Sequence, residues 1–130
     1  MFTIDQIKSA HSKVKSGADF PGYVQELISL GVLSYDTYVS DGHTKYTGEN
    51  NYTIQSDAKY SQMYVAAISD SEQFRQYLKI HQQGRTDYPL FCKHSAETGV
   101  EKWKVDMMEM TCTYYDKAGN KLLVENIPQP

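Results

Sequence analysis

The chain predicts an α+β fold, with a mainly antiparallel sheet and four helices in the order ααββββααββ. Three observations carry that reading. Apolar residues recur at helical spacing in four separate stretches, and they alternate with polar residues in the stretches between. The helical stretches also come in pairs instead of alternating singly with strands. Strands that follow one another through short turns run antiparallel.

The first helix is expected over 3–16. Thr3 opens it, and Gln6 three residues on completes a capping-box pattern. Ile4, Ile7, His11 and Val14 share one face, and Gly17 ends the run. The second helix, 20–30, has Pro21 in its first turn and a stripe of Phe20, Tyr23, Val24, Leu27 and Ile28, and Gly31 stops it. So short a connection predicts that the two pack as a hairpin or corner.

The period then changes. Leu33, Tyr35, Thr37 and Val39 alternate with Ser34, Asp36, Tyr38 and Ser40, which reads as a strand. Asp41-Gly42 is a hairpin signal, because such turns need positive φ at their centre. Residues 45–47, 52–55 and 62–68 are the next expected strands, completing an antiparallel meander. The third helix, 71–83, is capped by Asp70 or Ser71 and brings Phe74, Tyr77, Leu78 and His81 to one face. Pro89 opens the fourth, 89–98, and Gly99 closes it.

Trp103, Val105 and Met107 then face one way, and Lys102, Lys104 and Asp106 the other. After Met107 the apolar set becomes Met108, Met110, Cys112 and Tyr114, a slip that predicts a β-bulge or bend within 106–109. A turn at 116–120, with Gly119 in the left-handed position, leads to a last strand over 121–127. Residues 128–130 are expected to fray. The core should hold Phe74, Leu78, Phe91, Trp103 and Val105. With no repeat or linker, 1–130 reads as a single domain.

Composition narrows the function. Apolar residues make up 40% and charged residues 22% of 130, which is the balance of a folded globule. The longest apolar run, 63–68, is far short of the ~20 residues of a membrane span. The N-terminus lacks the pattern of a secretory signal, so the cytoplasm is expected. A net charge of −3 with only Arg75 and Arg85 argues against nucleic acid as a partner. Cys92 and Cys112 are too few for a disulfide framework and read as free thiols.

Several motifs occur in order through the second half: His81-Gln82-Gln83-Gly84, Asp87-Tyr88-Pro89, Phe91-Cys92, Gly99-Val100-Glu101-Lys102-Trp103 and Met110-Thr111-Cys112-Thr113-Tyr114-Tyr115-Asp116. With Gly119 and the closing Ile127-Pro128, this string resembles the YbcV-like family of small bacterial and prophage proteins, most closely over 70–128. That family has no known function. Some members carry the label "phage envelope protein". The resemblance implies relatives but no catalytic residue list.

Cys92 is the foremost candidate for chemistry. With Pro89 first in its helix, Cys92 falls in the first turn, where backbone amides favour a thiolate. His94, two positions on, points away around the helix, so a base would have to come from elsewhere, such as His81. The competing reading, which the residue type favours, is a buried structural cysteine beside Phe91. Cys112 reads as core. His81 in a last turn suits the helix dipole, and His43 beside a tight turn reads as solvated. His11, His43, His81 and His94 show no metal-ligand spacing, and neither a metal nor a cofactor is expected.

There are 11 tyrosines, and six of them fall in the expected meander. Tyr38, out of phase with the apolar face, and Tyr46 are the candidate binding residues of an exposed aromatic surface. The alternative is that tyrosine simply favours strands. No phosphate-binding glycine loop or nucleophile elbow occurs. The leading expectation is therefore a non-enzymatic binding or interaction module of the bacterial cytoplasm, prophage-derived and able to form a homodimer. Its partner would be a protein or small ligand, with neither nucleic acid nor membrane. The second expectation is a cysteine-dependent enzyme or redox protein using Cys92. The third, implied only by the family label, is a phage particle component.

Overall fold

Thr3 accepts from the Gln6 amide, and the Gln6 side chain accepts from the Thr3 amide, so the expected capping box starts the first helix. The computed structural model describes residues 1–15 and 17–128. Within them the helices are α1 (Ile4–His11), α2 (Phe20–Leu30), α3 (Ser71–Gln82) and α4 (Tyr88–Glu97). The strands are β1 (Val32–Tyr38), β2 (Thr44–Gly48), β3 (Thr53–Gln55), β4 (Lys102–Asp106), β5 (Thr111–Tyr115) and β6 (Lys121–Asn126). They form one sheet in the order β3-β2-β1-β4-β5-β6, antiparallel at every pairing. The α+β class with a mainly antiparallel sheet is thus the observed one.

The element order matches roughly, with one strand moved from the first half to the second. Residues 62–68 are not a strand. They form a strap whose backbone bonds are scattered: Met63 N donates to Ser40, Ala66 N to Ala96, and Asp70 N to Thr98. Val65 is buried beneath it while Tyr64 and Ile68 are exposed. A short apolar run without alternation does not specify a ladder.

The second difference is at 106–110. The chain does bend in the expected stretch, but as a hairpin turn that splits the expected strand in two. The Asp106 carboxylate accepts from the amides of Met108 and Glu109, and Met110 adopts φ +54. This turn separates β4 from β5, which pair with each other. An aspartate that caps the amides two and three residues on is a turn former, and that was the overlooked signal.

α1 also stops earlier than expected, at His11, with Ser12 as its C-cap. The Lys15 amide donates to the Asp19 carboxylate, so the chain is already turning there. Ser16, the expected helix end, lies outside the described residues, as do 129–130 of the tail.

Alternation within the sheet sorts residues onto two faces. Tyr35 lies between Tyr46 and Val105, and Thr37 between Thr44 and Trp103. Cys112 and Tyr114 continue this face across β5. The helices cover it: Phe74 of α3 meets Tyr114, and Phe91 of α4 meets Trp103. α1 packs on α2, and α3 on α4. Of the expected core residues, Phe74, Leu78, Phe91 and Val105 are buried, whereas Trp103 is only half-buried. Ser34, Asp36, Tyr38, Lys45, Lys102 and Lys104 occupy the opposite face, each half-buried.

Gly99 follows α4 at φ +84, and a Cβ there would stand 2.7 Å from the Ser69 Cα. Gly119 has φ +86 with open space around it. Gly119→Ala should therefore cost about 1 kcal/mol for the left-handed backbone alone. Gly99→Ala should cost clearly more, because the strap backbone must also move. Urea denaturation of the two variants checks this, and equal losses would show that the strap is not tied to α4.

Candidate binding cleft

The two helix pairs do not close over the centre of the sheet. Between them lies a cleft of about 780 Å³. One wall is a single face of α1, because Ile4, Ile7, Lys8 and His11 are spaced three and four apart. Phe20 and Tyr23 extend it from α2, and Tyr88 at the start of α4 faces them. The floor is the inner face of the sheet, from Tyr46 and Thr44 on β2 through Tyr35 and Thr37 on β1 to Trp103 on β4. Gly42, Ser56 and Lys59 border it on the side of the β1–β2 turn. The space exists because short residues, Thr37 and Thr44, occupy the floor among large aromatics.

A line of hydroxyls crosses that floor. The buried Thr37 and Thr44 hydroxyls lie 3.0 Å apart. Their mutual bond uses one of their two protons, which leaves one to donate elsewhere. The Tyr46 hydroxyl interacts with those of Thr44 and Tyr23. Burial raises the pKa of Tyr23, Tyr46 and Tyr35 above the usual tyrosine value, so all three stay neutral donors.

Cys92 does not open into the cleft. Its helix starts at Tyr88 under an Asp87 cap that accepts from Leu90, so Cys92 is a full turn inside. It is 1% exposed. Burial raises its thiol pKa, against the opposing effect of the Tyr60 and Tyr88 hydroxyls beside it. Tyr60 donates to the Val39 carbonyl at 2.5 Å, which leaves its oxygen to accept from the thiol. Tyr88, whose hydroxyl also reaches the thiol, stands between Cys92 and the cleft.

His81 has a different partner. Its Nδ1 lies 3.0 Å from the Thr86 hydroxyl and 3.1 Å from the Thr86 carbonyl, and its ring stacks on Phe91 at 4.4 Å. It pins the α3–α4 connection. Cys112 is buried on the sheet, with its pKa pushed up to about 12 by desolvation. His94 stacks on Tyr77 at 3.8 Å, and its Nδ1 is buried without a hydrogen bond. Among the described residues, no three His, Cys, Asp or Glu side chains gather as metal ligands do.

Tyr38 and Tyr46 lie on opposite faces of the sheet and do not share a surface. Tyr46 is buried in the cleft floor. Tyr38 stacks on His43 at 4.5 Å, with the Lys102 ammonium 5.7 Å from its ring centre. His43 is held by Asp41 through an Nδ1–carboxylate contact of 2.5 Å, and its backbone amide also donates to that carboxylate. Those bonds keep the Asp41 carboxyl below the usual range.

The residues that sequence reasoning missed are Thr44, Lys8, Lys59 and the cleft roles of Thr37 and Trp103. Alternation on β1 already set Thr37 on the face of Tyr35, and spacing on α1 could have placed Lys8 with Ile4, Ile7 and His11. Nothing local could pair them with Lys59 or Trp103.

Two thiol predictions follow from this burial. Iodoacetamide should label Cys92 and Cys112 only slowly in the native protein, at a rate that rises when urea is added; rapid labelling of Cys92 alone would contradict its enclosure. Because Cys112 is raised from 9.0 to about 12, its stabilising effect is complete below pH 9 and is lost as pH climbs toward 12. The urea midpoint should therefore fall over that window, and fall less in Cys112→Val.

No helix of the described residues is long and apolar enough to cross a membrane. No curated protein matches the chain. A family described as "Protein of unknown function (DUF1398)" matches residues 8–126. That span takes in every strand, three of the four helices whole, and all of the cleft except its Ile4 and Ile7 edge, and the chain belongs to this family.

Proposed function

We propose that the protein is a non-enzymatic binding module that holds a small planar molecule in the cleft. The carrying observation is the cleft itself. Its volume of about 780 Å³ falls within the range of small-molecule sites, and aromatic rings with few polar groups line it. Tyr46, expected from sequence to bind, belongs to this floor. Flat side chains offer stacking area, and the hydroxyl line offers orientation. The enclosed Cys92, with its raised pKa, lacks the exposed thiolate a nucleophile needs, which favours binding over cysteine chemistry. YbcV-like kinship, prophage descent, a cytoplasmic location and a homodimer belong to the same proposal on sequence grounds. The cleft reading stands without them.

Trp103 is the sole tryptophan and lies in the cleft, so its indole N–H gives a single diagnostic signal in an amide correlation spectrum. A screen of planar fragments should yield hits that move this signal together with the Thr44 and Tyr46 amides. Tyr46→Phe should weaken hits bearing a hydrogen-bond acceptor by about three- to tenfold, the worth of one neutral hydrogen bond. Hits clustering around Tyr38 on the opposite face, or none that move the indole, would refute the assignment.

A further inference from the structure

Resting on the cleft reading, we propose that the ligand is a planar acid, an aromatic or similarly flat carboxylate. Its ring system would lie on the aromatic floor and its carboxylate would meet Lys8 and Lys59. The chain as a whole is acidic, at −3. The cleft departs from that balance: its lining includes Lys8, Lys59 and His11 but no aspartate or glutamate.

The two lysines are also uncommitted. Among the described residues, the ion pairs use Lys13 with Glu26, His43 with Asp41 and Lys102 with Asp36. Lys8 comes from α1 and Lys59 from the segment after β3, so two separate parts of the chain bring cations to the lining of one cleft. An ammonium beside a partly desolvated mouth attracts an anion more strongly than one in open water.

The rest of the lining sets the remainder of the ligand. Tyr23, Tyr35, Tyr46, Tyr88 and Trp103 are flat and mainly apolar, and they suit a ring system. The floor hydroxyls suit a second, neutral polar group at the inner end. A phosphate ester fits less well, since no arginine lines the cleft to grip it bidentately.

The test compares 2-naphthoate with 2-naphthamide, which share rings and differ in charge. Calorimetry gives the affinities, and the Trp103 indole signal gives the location. The carboxylate should bind about tenfold more tightly, and both probes should move the indole. In Lys8→Met/Lys59→Met, at two exposed positions, the preference should fall to within about twofold, with both probes still moving the indole.

Equal or tighter binding of the amide, with the indole shifted, would overturn the acid while leaving the cleft reading intact. A preference that survives in the double variant would overturn the role of the lysines. No indole shift from either probe would sink the cleft reading and this proposal with it.

Discussion

Tyr35 stands at the centre of the molecule, with Tyr46 across one ladder and Val105 across the other. This register is the constraint on which the rest depends. Side chains alternate along a strand, so fixing Tyr35 inward also sends Thr37, Thr44 and Trp103 inward. A slip of one residue in β1 would instead present Asp36 and Tyr38 to the helices. Asp36 faces Lys45 and Lys104 across its two ladders and meets the Lys102 ammonium at 3.5 Å. Burying that set under helices would strand several charges, which costs far more than exposing Tyr35. The charges on one face and the aromatics on the other thus specify a single register.

The helices respond to this floor. Phe74 and Phe91 find large partners in Tyr114 and Trp103, and there the packing closes. On the other side Val24 and Leu27 are fully buried, and α2 holds α1 beside it. Between the pairs the floor offers Thr37 and Thr44, which are too short to reach a helix. The cleft is a consequence of where the short residues fall in the register. Tyr88 then divides the space, with open cleft on one side and the enclosed thiol of Cys92 on the other.

Much of the fold was legible, because local signals agree with the global arrangement. The Thr3–Gln6 box, Gly31 after α2, Asp70 before α3 and the alternation around Tyr35 each act within a few residues. The two misreadings share a cause. At 62–68 and at 106–110 an apolar pattern outweighed the turn chemistry, which in the second case Asp106 supplied. The site was legible only in pieces. Tyr46 was singled out for its type, but its partner surface required knowing that β1 lies between β2 and β4. Cys92 looked reactive from its helix position. Its enclosure depends on Tyr60, which comes from a loop more than thirty positions away. Cross-chain placement of this kind is set by tertiary packing and leaves no local trace.

The central claim is that Thr37 and Thr44 floor an open cleft and not a close-packed core. The paired replacement Thr37→Ile/Thr44→Val tests it most directly. Both residues stay β-branched, which suits a strand, and both hydroxyls leave together, so neither is orphaned by the loss of the other. In an open cleft the added methyl has room. Urea denaturation should then show stability unchanged within about 1 kcal/mol or raised, at an unchanged slope. A loss of about 2 kcal/mol or more would mean that the floor is already filled, as overpacked cores behave, and would contradict the account.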